Sequence, residues 1–427
     1  MDRTLVRRRG RYALAIGGFL ILWASFSVAS SSLLVLPRQH LFDFYPRWEG
    51  SRAVLTGETP YSQEVSWKIQ EAMFGRRQKP DEIVQHYVYP ATLTWLLLPF
   101  WLLPYQAATS LWLGLQLSLL LVSLLSVMSL LKWKLPGPTF FSLLFLSLAA
   151  FRYPIIAYIL GQFIPFILAC LIVTWWGMAG DKPALALLGL VGLLVRPEVV
   201  VIPLGVLLFD HWAEGKRGVV AAWTLVAIAL WLWTRLWIGP WELDFLKGIV
   251  SYTGYSFLHW PPFVLGHAWL AVALALSIVG WGAWMLWRFR SLPRKERLPW
   301  EISVSVLVTL LVLPQPNNYT LVLALIPAWV TLWASEGSRV DWLLLSVVLI
   351  SPWVFHSLRD SLPPGAEQLL IPLAIAALLT RRWVFWVGGE KKRIRSGAPA
   401  ATGQAEATLR AASEKRTWQA TRDFSKA

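Results

Sequence analysis

Cysteine is nearly missing from this chain, and charge is scarce. Cys170 is the single cysteine in 427 residues, so no disulfide can form within the chain and its loops must hold their shape by packing. Charged residues make up only 15%, against about a quarter in soluble domains. That deficit excludes an ordinary soluble domain, and a hydrophobic share of 56% points to an all-α polytopic membrane protein. Several chemical signatures are also missing. There is no His/Cys/carboxylate spacing for zinc, no GxxxxGKS/T loop, no GxGxxG after a strand and no D-x-D pair to hold a divalent ion against a nucleotide sugar. The expected substrate therefore needs no metal or other cofactor and already resides in the membrane.

What is present is tryptophan and unevenly placed positive charge. Many of the 28 tryptophans stand at the ends of apolar runs, as Trp175-Trp176, Trp237 and Trp383 do, where the indole ring favours the headgroup level. The net charge of +15 raises the question of nucleic acid, and its distribution answers against it. Basic residues gather in short clusters between apolar runs, at Arg7 to Arg11, Lys132 to Lys134, Lys216-Arg217, Arg288 to Arg297 and Lys391 to Arg395, which marks a cytoplasmic side. Residues 37–90, by contrast, hold seven basic and seven acidic residues and fit the opposite side.

A crossing needs about 20 apolar residues. Full-length candidates fall near 12–36, 106–131, 218–238, 267–288, 299–313, 319–335, 342–358 and 367–388, with the first read as a retained span rather than a signal peptide. Shorter runs at 139–151, 160–178, 184–195 and 199–210 are separated by joints at Arg152-Tyr153-Pro154, Asp181-Lys182-Pro183 and Arg196-Pro197-Glu198. Counting each as a crossing gives about 12 transmembrane or half-spanning helices, with both termini cytoplasmic, in a prokaryotic plasma membrane. The transmembrane domain is expected over 1–389, and 390–427 reads as a disordered basic cytoplasmic tail with nine Lys/Arg against four Asp/Glu. The large first extracytoplasmic loop, 37–104, should carry short interfacial helices at Trp48 to Leu55, Ser62 to Phe74 and Tyr89 to Pro99.

In that topology the polar residues least suited to lipid share the extracytoplasmic half. They are Asp43, Glu49, Arg52, Tyr89, Gln162, Arg196, Glu198, His259, His267, Gln315, Asn317 and Asn318. Each has a plain alternative: Arg196 and Glu198 can form an ion pair that closes a helix break, Gln162 can cap a carbonyl, and His259 beside Trp260-Pro261-Pro262 reads as a loop residue. Asp43 stands out, because a carboxylate flanked by Phe42, Phe44 and Tyr45 just beyond a span is poorly solvated. Desolvation raises its pKa toward the range of a general base, and a nearby Arg47 or Arg52 opposes the shift.

The order Asp43-Phe44-Tyr45, then Gly50 to Tyr61, then Tyr89-Pro90-Ala91-Thr92 with Leu96-Leu97-Leu98-Pro99, resembles glycosyltransferase family 87. Gly161-Gln162, Leu194-Val195-Arg196-Pro197 and Pro314 to Tyr319 with Pro327 resemble later elements of that family, so the likeness covers residues 12–335. Arg196 stands where the family usually has Lys, Ala91 where it has a second Pro, and Tyr319 nearest the place of a late His. The resemblance implies a GT-C-like fold and inverting transfer of mannose or a related hexose from a polyprenyl-phosphate donor to a lipid or glycan acceptor. Asp43 would then be the catalytic base. Tyr45, Glu49, Arg52, Tyr89, Gln162, Arg196, Glu198, His259, Asn317 and Asn318 would bind substrate. A secondary transporter with broken helices near 152–160 and 196, or a lipid-binding membrane protein without transfer activity, are the alternatives.

Overall fold

Long apolar runs have one way to satisfy their backbone without water, which is to coil into helices. The computed structural model describes residues 3–38, 43–79, 82, 84–256, 260–314, 318–335, 338–363 and 365–396, and no strand occurs among them. Helix α1 (Arg3–Ser30) continues through a π segment, Ser31–Val35. The first loop supplies α2 (Phe44–Leu55), α3 (Gln63–Phe74), α4 (Leu93–Leu96) and α5 (Leu98–Trp101). Next come α6 (Tyr105–Leu130), α7 (Gly137–Phe145), α8 (Arg152–Ile159), α9 (Ile164–Ala179), α10 (Pro183–Gly192), α11 (Val201–Ala213) and α12 (Arg217–Ile238). The remainder is α13 (Glu242–Ser256), α14 (Ala268–Phe289), α15 (Arg294–Val312), α16 (Leu325–Ala334), α17 (Arg339–Ser357) and α18 (Ala366–Ser396).

Among the described residues, six segments are long and apolar enough to cross a membrane: Ala13–Val35, Tyr105–Leu130, Arg217–Ile238, Ala268–Phe289, Arg339–Ser357 and Ala366–Phe385. A seventh is a broken pair, Gly137–Ala150 and Arg152–Ile159, bent by 53°. The bend falls at the expected joint, where Phe151 is extended and Pro154 in the next first turn cannot continue the preceding ladder. Four further apolar helices are shorter: Ile164–Ala179, Pro183–Val195, Val201–Ala213 and Asn318–Ala334. The runs expected at 299–313 and 319–335 are therefore not of simple crossing type. The first belongs to α15, which opens with Arg294, Lys295, Glu296 and Arg297, and the second to a 3₁₀ segment, Asn318–Ala324, leading into α16.

Exposure separates inner from outer helices. Every residue of α15 from Leu298 to Leu311 is buried, Glu301, Ser303, Ser305 and Thr309 included, which places this helix inside the others. On α12 and α17, large apolar side chains such as Leu236 (82% exposed) and Val347 (59%) face outward, a surface suited to lipid rather than water. Helices α9 and α10 approach through small residues: a Cβ on Gly189 would lie 2.6 Å from the Cys170 carbonyl oxygen, and one on Gly177 would meet Ala186 at its Cα.

The first loop is more helical than expected. Helix α2 begins at Phe44, four residues before the expected Trp48, because Pro46 is tolerated in a first turn. Ser62 caps α3 by accepting from the Val65 N–H at 3.2 Å. The single helix expected over Tyr89 to Pro99 is instead split into α4 and α5 at Leu97, since Pro99 cannot donate back to Trp95. Outside the first loop, α13 is a further helix between the apolar runs at 218–238 and 267–288.

At the other end of α11, Asp210 is buried and accepts from Arg294 Nε at 2.8 Å and from Arg297, which also meets Glu214 at 2.6 Å. Part of the Arg288 to Arg297 cluster is thus neutralised by ion pairs. Packing divides the chain into Met1–Ala377 and Leu378–Ala427. The expected tail begins inside α18, and its residues 397–427 lie outside the described residues.

The α9/α10 contact yields a stability test. Gly189→Ala should lower thermal stability in nanodiscs by about 1–3 kcal/mol through overpacking. Gly205→Ala, where nothing lies within 4 Å, should leave it unchanged. Equal effects of the two would contradict glycine-mediated contact.

Candidate functional site

The site is organised by the turn between α8 and α9. Gly161 adopts φ +66°, a left-handed conformation that ends α8 with Gly161 N–H bonded to Tyr158 O at 2.9 Å and Gln162 N–H to Ala157 O at 2.8 Å. The reversal presents the Gly161 carbonyl and the Gln162 side chain to α2. The carbonyl accepts from Arg47 Nη1 at 2.8 Å and from Trp112 Nε1 at 2.9 Å. Gln162 Oε1 accepts from Arg47 Nη2 at 2.5 Å, while its Nε2 donates to Asp43 Oδ2 at 2.5 Å. Chemistry dictates that orientation, because a guanidinium only donates and a carboxylate only accepts.

Asp43 occupies the N-cap position of α2, yet its side chain makes no capping bond. The carboxylate is instead committed to Gln162, and Oδ1 carries no protein hydrogen bond among the described residues. Phe44 anchors the helix start by stacking between Trp101 and Trp112, with centroids 5.5 and 5.7 Å away. Burial raises the Asp43 pKa, while the charge of Arg47 and the hydrogen bond from Gln162 pull it down. The net direction is upward.

Arg47 is fully buried and lies against two adjoining aromatic rings, with its guanidinium carbon 4.8 Å from the Tyr89 centroid and 4.6 Å from that of Phe163. Desolvated contacts of this kind contribute about 2 kcal/mol. Tyr89 serves a second cation, since the Arg196 guanidinium lies 5.7 Å from the same ring. Arg196 is 5% exposed and donates through Nε to Glu198 Oε1 at 2.7 Å, the ion pair that the sequence allowed at this helix break. Its Nη1 is buried with no hydrogen-bond partner among the described residues. Tyr319 lies within electrostatic reach of Arg196, Tyr89, Asp43 and Arg47.

Of the residues read from sequence, the structure brings together Asp43, Tyr89, Gln162, Arg196 and Glu198. Tyr45 is buried beside them, edge-on to Tyr105 at 5.0 Å, and its hydroxyl pKa is pushed up to about 12 by burial and then by Glu49. Arg52 is not part of the cluster: it is exposed and covers the Trp48 ring at 4.8 Å, because it leaves α2 on another face from Asp43. Glu49 is half-buried on that helix. Asn318 accepts from Gln368 at 2.5 Å and lines a separate pocket that includes neither Asp43 nor Arg196. His267 is exposed at the start of α14. His259, Gln315 and Asn317 lie outside the described residues.

Arg47, Phe163 and Tyr319 complete the cluster without having been chosen as site residues. For Arg47 a signal existed, since it follows Asp43 by four residues and so shares its helix face. For Phe163 and Tyr319 no local pattern distinguishes a site residue from core packing.

The arrangement offers a carboxylate with one free oxygen, aromatic walls, and a buried guanidinium with an unused donor. It can remove a proton from a hydroxyl and bind an anion close by. Compared with known proteins, the chain matches no family model, no curated protein and no solved structure.

The two arginines of α2 separate by experiment. Arg47→Met should lower stability in nanodisc melts by about 1–3 kcal/mol, because it leaves the buried Gln162 Oε1 without its donor. Arg52→Met should change it by no more than about 0.5 kcal/mol. Similar losses would contradict Arg47 as the structural centre of the cluster.

Proposed function

We propose that this chain is an inverting glycosyltransferase of the GT-C type that moves a hexose from a polyprenyl-phosphate donor to an acceptor hydroxyl at the extracytoplasmic face of the plasma membrane. The observation that carries the reading is the pairing of a desolvated, Gln162-held carboxylate with a second buried cation, Arg196, whose Nη1 is unpartnered among the described residues. The resemblance of the first-loop run to family 87 supports the same assignment of Asp43. The reading invokes no metal.

In the proposed step, Asp43 Oδ1 takes the proton from the acceptor hydroxyl as that oxygen attacks the anomeric carbon. The bond from that carbon to the phosphate oxygen breaks, and its electron pair leaves with polyprenyl phosphate. Attack from the face opposite the leaving group inverts the configuration. Gln162 holds the carboxylate so that one oxygen remains free, and Arg47 fixes Gln162. Arg196 offers its free Nη1 to the phosphate, whose growing charge a buried donor stabilises more strongly than water would. Aromatic walls from Tyr89, Tyr45 and Phe163 exclude water and provide apolar faces for a sugar ring. In a crossing arrangement with both termini in the cytoplasm, the cluster lies on the outer side, where the first loop carries balanced charge.

Asp43→Asn keeps the shape and removes the base. Transfer of radiolabelled hexose from a polyprenyl-phosphate donor into extracted membranes should fall by about 10²–10⁴-fold, and full activity in this variant would exclude Asp43 as base. The wild-type rate should rise with pH through a value above the ordinary Asp pKa of about 3.9, because the base works deprotonated and burial raises its pKa. Gln162→Leu removes a bond that favours the carboxylate, so the acid limb of the profile should move to higher pH. Movement to lower pH would contradict the assignment.

A further inference from the structure

A second polar pocket opens where the 3₁₀ segment meets the end of α17 and the start of α18. Its volume is about 190 Å³ and its wall includes Asn318, Phe355, Arg359, Glu367 and Gln368. Gln368 is only 1% exposed. Its Nε2 donates to Asn318 Oδ1 at 2.5 Å, but its buried Oε1 has no partner. Glu367 is held through Oε2 by the Tyr153 hydroxyl at 2.7 Å, and its Oε1 has no protein donor among the described residues. Native structures seldom leave a buried acceptor without a donor, so the pocket calls for a molecule that brings O–H groups.

The charge of the wall narrows the class. The cations here have acidic partners: Arg359 is paired with Asp360 at 3.7 Å and Arg152 lies within electrostatic reach of Glu367, so the charges balance and no buried cation with an unused donor lines the pocket among the described residues. Phe355 adds an apolar ring face beside two amides and a carboxylate. A pyranose has that complement: hydroxyls that both donate and accept around the rim, and C–H groups that lie on an aromatic face. The pocket admits one such ring. It is also joined to the cluster through the chain, because Asn318 immediately precedes Tyr319.

We propose that this pocket binds a neutral sugar ring. That the ring belongs to the acceptor rests on the glycosyl-transfer reading above, whereas binding itself does not.

The test is saturation-transfer NMR on the full chain in nanodiscs, with the methyl glycosides of mannose, glucose and galactose as probes and inorganic phosphate as competitor. At least one glycoside should receive saturation, and phosphate should not displace it. Gln368→Leu should weaken that glycoside about tenfold, the effect of losing one hydrogen bond. Gln368→Glu, which keeps an acceptor oxygen, should retain binding, and Phe355→Leu should weaken it if the Leu variant fails to fold. Absence of binding by all three glycosides, displacement by phosphate, or unchanged affinity in folded Gln368→Leu would overturn the proposal and leave a water-filled structural pocket. Glycoside binding without any hexose transfer would keep this assignment and overturn the enzymatic reading. Transfer without glycoside binding would do the reverse.

Discussion

The arrangement depends on one side-chain amide. Gln162 stands between a carboxylate and a guanidinium and bonds to each at 2.5 Å. A direct Asp43–Arg47 ion pair would hold the carboxylate's charge too firmly for it to act as a base. With the amide interposed, Arg47 keeps hydrogen-bond acceptors for both Nη atoms while buried, and Asp43 keeps a free oxygen and a raised pKa. The turn at Gly161 makes this possible, because only its left-handed backbone lets one carbonyl receive both Arg47 and Trp112 while the next side chain reaches Asp43.

Burying two arginines close together requires more than hydrogen bonds, and aromatic rings supply the rest. Tyr89 lies against both guanidiniums, and Phe163, edge-on to Tyr89 with centroids 5.7 Å apart, lies against Arg47 beside it. Ring faces stabilise cations without accepting their hydrogens, so Arg196 retains an unused donor. Helix α11 connects this region to the basic network: Arg196 and Glu198 precede its first turn, and Asp210 lies near its last. Its 13 residues span about 20 Å. Polar site residues and the Arg294–Asp210–Arg297 network thus sit at opposite ends of one helix, as the charge distribution along the sequence implied.

Much of this was legible in sequence, for physical reasons that can be named. Apolar runs revealed nearly all the long helices because composition alone determines whether a segment can leave water. The joints at Arg152 and Arg196 were visible because proline and charge interrupt such runs. Asp43 was visible as a carboxylate among aromatics. What failed to show was tertiary. Only the four-residue spacing from Asp43 separates Arg47 from Arg52, and it counts only once a helix is known to begin there; Asn318 could be assigned to an outer turn without revealing that its side chain turns toward Gln368. The helix over Tyr89 to Pro99 was misjudged because a single proline, Pro99, outweighed the apolar periodicity around it.

The decisive measurement is a cryo-EM structure of the protein in nanodiscs with a non-transferable polyprenyl-phosphate hexose analogue. The account predicts the phosphate within hydrogen-bond distance of Arg196 Nη1, with Asp43 Oδ1 on the opposite side of the anomeric carbon. A phosphate bound away from Arg196, or a sugar whose anomeric carbon Asp43 cannot approach, would contradict it.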